Sequence, residues 1–173
     1  KVDVTPLGYD DVYQPLSDDA INVFCAEKNL PDRFWLYVGT LEPRKNLVTL
    51  IHAYAQLPAD DRLPLVLAGG KGWMSEPIFE AIARHGLEDT IALPGFIPAE
   101  ELPLWYNSAE CFIFPSVFEG FGLPVLEAMA CGTPIITSDV SSLPEVAGDA
   151  GLTLPPHDID AWVAGLRKAF HDA

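Results

Sequence analysis

Short apolar segments alternate with amphipathic segments along most of this sequence, and this alternation restricts the fold more than any other feature. Apolar runs that predict strands occupy residues 34–39, 65–68, 90–93, 111–114, 134–137 and 151–154. Helical spacing of apolar residues predicts helices over residues 18–28, 47–54, 76–84, 98–106, 124–130, 142–146 and 159–170. Apolar strands separated by helices are typical of a parallel sheet with helices on both faces. The sequence therefore predicts an α/β fold with about six parallel strands in three layers.

The composition argues against several classes of partner. The 173 residues carry a net charge of −15, which would repel nucleic acid and anionic lipid. No apolar run reaches the roughly 18 residues of a membrane-spanning helix, and residues 1–10 lack the apolar core of a signal peptide. Because the chain begins without Met, we interpret it as a fragment. In this interpretation residues 1–16 are a linker from a missing N-terminal domain, and residues 17–173 form the folded domain.

No metal site is predicted. The cysteines lack metal-ligand spacing and fit buried free thiols; they are Cys25, Cys111 and Cys131. The histidines are scattered and show no partner at metal or catalytic-triad spacing; they are His52, His85, His157 and His171.

Parallel sheets bind ligands beyond the carboxyl ends of their strands, so the loops that follow those ends are the places to search. The loop after the first strand puts Arg44 and Lys45 at the start of a helix that Asn46 is expected to cap. The helix dipole disfavours cations there, and a broken local rule hints at function. Together with free helix amides, the two cations would suit a diphosphate. The alternative is a pair of solvated surface cations.

The loop after the fourth strand, residues 115–127, combines glycines with carboxylates. Gly120 and Gly122 permit a close approach of backbone to ligand, and Pro124 opens a helix whose free amides would face the same crevice. Glu119 and Glu127 could accept hydrogen bonds from sugar hydroxyls. The alternatives are an ordinary tight turn and, for Glu127, simple complementation of the helix dipole.

Two further loops follow strands. Residues 94–98 could read a base edge with backbone groups and present Phe96 and Ile97 as an apolar wall, or could be a plain turn with a core aromatic. Residues 69–73 contain Gly70 and could line the crevice, but they match neither a Walker A motif nor a dinucleotide-binding fingerprint.

Three segments in order resemble the family-4 retaining glycosyltransferases of GT-B fold: VGTLEPRKNL, PSVFEGFGLPVLEAMACGTPII and SSLPEVAGDAGL. The resemblance covers nearly the whole chain, and its most specific part is a Glu-x7-Glu motif from Glu119 to Glu127. It implies a Rossmann-like, doubly wound parallel sheet that forms one half of a GT-B enzyme. It also implies that residues 17–173 are the C-terminal domain, which binds the nucleotide sugar.

The resemblance assigns roles to individual residues. Lys45 would contact the donor diphosphate, and Arg44 is expected to replace an arginine that many members carry where this chain has Thr40. Glu119 would lie near the transferred sugar, and Glu127 would bind the ribose. The expected catalytic residues are Arg44, Lys45 and Glu119. The expected donor-binding residues are Gly39, Thr40, Gly70, Phe96, Ile97, Ser116, Gly120, Phe121, Gly122, Leu123 and Glu127.

The implied reaction moves a sugar from GDP-mannose or a UDP-sugar to a glycan or lipid-linked acceptor, with retention, in bacterial polysaccharide biosynthesis. No cofactor or metal is required if two cations stabilise the leaving diphosphate. Asp158 and Asp160 formally match a metal-binding Asp-x-Asp motif, but Asp158 fits a helix cap better. Without the missing acceptor-binding domain the fragment should not transfer sugar efficiently. We expect a cytoplasmic protein, peripheral at the inner membrane through that domain.

Two other functions fit parts of the sequence. A GT-B nucleotide-sugar 2-epimerase would share the sheet and the diphosphate site, although the Glu-Gly-Phe-Gly loop argues against it. A noncatalytic nucleotide-binding module on a doubly wound sheet would bind nucleotide without chemistry. A nicotinamide dehydrogenase fits less well, because no glycine-rich fingerprint follows a strand.

Overall fold

The computed structural model describes residues 7–171. Its sheet has six strands, all parallel, in the order β3-β2-β1-β4-β5-β6. The strands are β1 (Trp35–Val38), β2 (Leu65–Ala68), β3 (Ile91–Gly95), β4 (Cys111–Phe114), β5 (Ile135–Ser138) and β6 (Leu152–Leu154). The helices are α1 (Asp18–Lys28), α2 (Leu47–Ala55), α3 (Glu76–His85), α4 (Leu102–Ser108), α5 (Leu123–Ala130), α6 (Leu143–Ala147) and α7 (Ile159–His171). The predicted doubly wound, Rossmann-like sheet is confirmed.

The helices form two layers. Helix α2 packs against α3 and α7 on one face, and α1, α4, α5 and α6 pack in sequence on the other. Sheet and helices enclose one apolar core, in which β1, β2, β4 and β5 are almost wholly buried. The strand order reverses between β1 and β4, whose carboxyl ends therefore open a crevice on the central axis of the sheet.

The edge of the sheet departs from expectation. The sequence predicted a sheet covered by helices on both faces, but Ala92, Leu93 and Pro94 of β3 are exposed. The prediction is wrong there because β3 is the last strand at its edge, and a groove rather than a helix lies over these residues.

Local signals define most helix ends. Gly86 ends α3 in the left-handed conformation, and its amide donates to carbonyls of the last turn. Pro103 lies in the first turn of α4, where its missing N–H costs nothing, and a 3-10 turn (Ala99–Glu101) leads into it. Asp158 accepts from the Ala161 amide at 3.0 Å, which confirms its capping role.

The expected capping by Asn46 is wrong. Asn46 precedes α2 in a left-handed conformation with φ of 57°, so its side chain does not accept from the helix amides. Its Oδ1 instead accepts from the Thr49 hydroxyl, and its Nδ2 donates to the Pro156 carbonyl. Arg44 and Lys45 lie just before it in a 3-10 turn (Pro43–Lys45) rather than in the first turn of the helix.

The predicted linker packs on the domain where it is described; residues 1–6 lie outside the described part of the chain. The amide of Leu16 donates to Asn107 at 2.9 Å, and Asn107 donates back to the Gln14 carbonyl at 3.0 Å. Within residues 7–171, no helix has the length and apolarity that a membrane crossing requires.

Candidate functional site

Two of the predicted loops, after β1 and after β4, meet at the carboxyl edge of the sheet. The carbonyl of Arg44 accepts hydrogen bonds from the Val117 amide at 2.9 Å and from the Ser116 hydroxyl at 3.1 Å. Because β1 and β4 are neighbours, residues far apart in the sequence are held together by short backbone contacts. These loops supply one cluster of charged residues.

Three donors converge on one carboxylate oxygen in that cluster. Oε1 of Glu119 lies 2.6 Å from Nζ of Lys45, 2.8 Å from Nη1 of Arg44 and 2.7 Å from the Ser116 hydroxyl. Lys45 is only 7% exposed, and its ammonium also lies 4.7 Å from the ring centroid of Phe114. Arg44 makes a second ion pair with Glu42 at 2.7 Å. We call Arg44, Lys45, Ser116 and Glu119 the ion cluster.

The pairing fixes the charge state of the ion cluster. Burial raises the pKa of Glu119, but hydrogen bonds from Lys45 and Ser116 outweigh burial, so the pKa of Glu119 lies below its ordinary value. Burial lowers the pKa of Arg44, but its bonds to Glu119 raise it further, so the net change is upward. Glu119 and Arg44 are therefore charged at neutral pH. Glu119 pairs with both cations, and Glu42 pairs with Arg44. The sequence did not predict these ion pairs, because it treated Arg44 and Lys45 as cations that are free to bind an anionic ligand.

The glycine-rich loop leads from the ion cluster into α5. Gly122 has φ of 107°, and a Cβ there would lie 2.8 Å from a methyl of Leu143. This position therefore requires glycine. The hydroxyls of Ser141 and Ser142 hold the loop by bonding to the carbonyls of Glu119 and Phe121. Among the described residues, the amides of Gly120, Phe121 and Leu123 have no acceptor, and so they remain available to an anionic ligand.

Glu127 lies one turn further along α5, half-buried beside two tyrosines. The fully buried Tyr106 donates to its Oε2 at 3.0 Å, and Tyr13 lies against the same carboxylate. Burial raises the pKa of Glu127, while the hydrogen bonds from Tyr106 and Tyr13 partly counter that rise. Contacts with Tyr106 and Tyr13 therefore hold the Glu127 carboxylate in place, so its role is not limited to complementing the dipole of α5.

A cleft of about 230 Å³ opens beside the ion cluster. It is lined by Val38, Gly39, Thr40, Ala68, Gly69, Gly70, Phe96, Ile97 and Leu102. Gly69 lets two loops touch, since a Cβ there would lie 1.9 Å from the Gly39 carbonyl oxygen. Phe96 is 79% exposed at the cleft, whereas Ile97 is buried. Five of the predicted residues line this one cleft: Gly39, Thr40, Gly70, Phe96 and Ile97.

Short contacts join these parts into one surface. The Cε of Lys45 lies 3.7 Å from where a Cβ of Gly39 would be, which brings the ion cluster to the edge of the cleft. Helix α4 joins the cleft to Glu127, because Leu102 lines the cleft and Tyr106 follows four residues later. Side chains with that spacing are about 5–6 Å apart on a helix. The predicted residues of the four loops thus lie near one another at the carboxyl edge of the sheet.

The sequence missed one pair of side chains. The histidine spacing gave no sign of a pair, but Nδ1 of His52 lies 2.9 Å from Nε2 of His85. The two residues come from different helices, α2 and α3, which pack together. Burial, His85 and Arg84 lower the pKa of His52. Within residues 7–171, no group of three or more His, Cys, Asp or Glu side chains is placed to hold a metal ion.

A second groove, of about 360 Å³, lies away from this chemistry, between the end of α1 and the exposed face of β3. Its lining is mostly apolar, and its cation, Lys28, is paired with Glu101 at 2.7 Å. Although it is larger, it offers no free charged group, so we do not regard it as the functional site.

Comparisons with known proteins agree with the fold. The model of the family Glycosyl transferases group 1 matches residues 21–173. Among solved structures, sucrose-phosphate synthase from Thermosynechococcus elongatus is 32% identical with a TM-score of 0.78, covering 96% of this chain and 46% of that one. HepE from Anabaena, solved with UDP and glucose, has a TM-score of 0.84 over 95% of this chain and 46% of its own. At 22% identity, the likeness to HepE concerns the fold alone.

Two relatives from Escherichia coli are more similar in sequence. O-antigen chain mannosyltransferase B is 47% identical over 139 residues, which are 79% of this chain and 36% of that protein. Serotype-specific mannosyltransferase WbdA is 41% identical over 148 residues, which are 83% of this chain and 18% of that protein. The chain thus spans well under half the length of these relatives. By its family match and these identities, the chain belongs to the group 1 glycosyltransferases.

Proposed function

We propose that this chain binds a nucleoside-diphosphate sugar and acts as the donor-binding domain of a retaining glycosyltransferase. One observation carries the proposal: Arg44 and Lys45 converge at the mouth of a cleft that is lined by the residues predicted to hold the nucleotide. A cleft with a few convergent charged groups is the usual form of a small-molecule site. Residues 17–173 would form this domain, with residues 1–16 as the linker.

The diphosphate would bind at the ion cluster. Glu119 pairs with both cations, so an incoming pyrophosphate must take over their hydrogen bonds. The free amides of Gly120, Phe121 and Leu123 provide further donors for the same anion, whereas those of Val125 and Leu126 already donate to the Gly122 carbonyl. Glu119 would then turn to accept hydrogen bonds from sugar hydroxyls, the role that the Glu-x7-Glu motif implies.

The remaining parts of the site would bind the nucleoside. Phe96 and Ile97 would pack on the base at the cleft, and Glu127 would accept hydrogen bonds from the ribose hydroxyls. In this arrangement the base lies at the cleft. Glu127 is reached from the cleft along α4, and Lys45 is reached from it past Gly39.

Catalysis would depend on the leaving group. Negative charge develops on the diphosphate as the glycosidic bond breaks, and preorganised cations and amides stabilise it more in the transition state than in the ground state. Each such contact is worth about 2–4 kcal/mol. The two cations, together with the free amides of Gly120, Phe121 and Leu123, would make a divalent ion unnecessary. We assign no nucleophile.

GDP-mannose is the donor that we favour, with UDP-sugars second. The support is the similarity to two proteins named as mannosyltransferases, one of them for the O-antigen chain. On the same ground, the acceptor would be a glycan or a lipid-linked glycan in bacterial polysaccharide biosynthesis. A missing N-terminal domain would bind the acceptor and make any contact with the cytoplasmic face of the inner membrane. Without it, residues 1–173 should bind donor but transfer sugar poorly.

Calorimetry tests the proposal directly. GDP, UDP, GDP-mannose and UDP-glucose are titrated into the wild-type chain and into Glu127→Ala. Glu80→Ala is the control, because it removes an equal charge from an exposed position on α3. We expect nucleotide binding that Glu127→Ala weakens about tenfold and Glu80→Ala leaves unchanged. Equal affinity of wild type and Glu127→Ala, or no binding of any nucleotide, would refute the assignment.

A further inference from the structure

Glu127 contacts two tyrosines that come from different parts of the chain. Tyr106, on α4, is fully buried and donates to Oε2 of Glu127 at 3.0 Å. Tyr13 lies before α1, and its ring centroid is 6.0 Å from that of Tyr106 at an interplanar angle of 59°. Burial and the charge of Glu127 raise the pKa of Tyr13 to about 12 and hold the pKa of Tyr106 well above its ordinary value, so both phenols stay protonated. Tyr106 donates to Glu127, and Tyr13 lies beside the same carboxylate.

The segment that carries Tyr13 is fixed to the domain. Its backbone is tied on both sides of Pro15 to the side chain of Asn107, which accepts from the Leu16 amide at 2.9 Å and donates to the Gln14 carbonyl at 3.0 Å. The turn before it is closed by the Tyr13 amide, which donates to the Asp10 carbonyl at 3.0 Å. Tyr13 therefore reaches Glu127 from a docked segment, and its position depends on that docking.

These contacts leave part of the carboxylate free. An ionised carboxylate has about four lone-pair sites, and two phenol donors occupy at most two of them. Without such donors the pKa of this half-buried carboxylate would be higher still and the group would be free to rotate, so it would recognise a diol poorly. Fixing one side of the group leaves the other side preoriented for two neighbouring hydroxyls.

We infer that Tyr13 and Tyr106 are positioning residues for ribose recognition, which hold Glu127 so that its remaining lone pairs accept from the two hydroxyls of the nucleotide ribose. The inference rests on the proposed function, because it takes Glu127 as the ribose-binding group. It adds that residues 10–16 contribute to the donor site through Tyr13.

The test compares GDP with 2′,3′-dideoxy-GDP, which lacks both hydroxyls. Wild type should prefer GDP by about tenfold or more, and Tyr106→Phe and Tyr13→Phe should each reduce that preference about threefold to tenfold while leaving the affinity for the dideoxy compound unchanged. Tyr54→Phe is the control for a buried phenol, because its hydroxyl donates to the Leu63 carbonyl. Tyr9→Phe is the control for an exposed one in the same segment. If affinity for both nucleotides falls equally, the tyrosines support the fold only, and the inference is wrong.

A second readout does not need nucleotide. The hydrogen bonds from the tyrosines lower the pKa of Glu127, so each Phe variant should raise it, as measured by carboxyl-carbon NMR over pH. An unchanged pKa in both variants would overturn the inference. The two proposals fail separately: if GDP preference depends on Glu127 but not on either tyrosine, only the positioning role falls.

Discussion

Glu119→Gln is the change that separates two roles for the ion cluster. Glu119 pairs with both cations, so a diphosphate must break those two contacts before it can bind. Glutamine has nearly the same shape and keeps one oxygen acceptor, but it carries no charge. We therefore expect Glu119→Gln to bind GDP more tightly than wild type does.

The size of this gain follows from the two contacts. A hydrogen bond between charged partners contributes about 1.5–3 kcal/mol, and a neutral acceptor is roughly half as strong. Relief of about 1 kcal/mol for each of the bonds at 2.6 and 2.8 Å gives about 2 kcal/mol. Because the Arg44 side chain is 38% exposed, solvent screening reduces its share, so we expect about 1–2 kcal/mol in total. This corresponds to a gain of about fivefold to thirtyfold in affinity.

Calorimetry with GDP on wild type, Glu119→Gln and the control Glu80→Gln measures the effect. The gain should be smaller with GDP-mannose, because Glu119 is expected to accept from the sugar hydroxyls. Weaker binding of GDP by Glu119→Gln would refute the reasoning, since Glu119 would then support the anion site rather than compete for it.

Three further changes probe the same account. Lys45→Met should weaken GDP binding by about 2–4 kcal/mol, because it removes a buried cation from the diphosphate position, and calorimetry that finds unchanged affinity would contradict this. Gly122→Ala should destabilise the fold by about 1–3 kcal/mol in urea unfolding, since φ is 107° and the new Cβ would lie 2.8 Å from a methyl, whereas Gly120→Ala, with open space around it, should not. The pKa of His52 is lower in the folded chain than in the unfolded chain, so the unfolded chain binds the proton more readily. The contribution of His52 to the free energy of folding is therefore neutral above about pH 6.5 and destabilising as pH falls below that value. His52→Gln should therefore lose less stability than wild type between pH 7.5 and 5.5, and equal losses would refute this assignment.

The strands and most helix ends could be read from the sequence because they depend on local pattern. The run 111–114 is apolar on both faces, and Pro103 and Gly86 mark helix termini by their backbone preferences. The exposure of β3 could not be read, because it depends on strand order at the edge of the sheet. The conformation of Asn46 could not be read either, since its side chain bonds to the distant Pro156 carbonyl and to Thr49 instead of capping the helix amides.

The site shows the same division. Charged residues and glycines after strands predicted which loops matter, because the carboxyl ends of parallel strands share one edge. The pairing of Glu119 with both cations, and the contact of Tyr13 with Glu127, arise between segments distant in the chain. The His52–His85 pair was missed for the same reason, since only the packing of α2 on α3 brings the rings together. Sequence patterns were enough to identify the loops, but the side-chain pairs within the site depend on tertiary packing.

The most direct test of the central claim is a titration of the isotope-labelled chain with GDP-mannose, followed by amide NMR. If one nucleotide-sugar site is formed by the ion cluster, the cleft and Glu127, resonances of residues 39–45, 96–97 and 119–127 should shift together with a single dissociation constant. Shifts confined to the groove beside α1 and β3, or separate affinities for the cleft and the ion cluster, would contradict the claim.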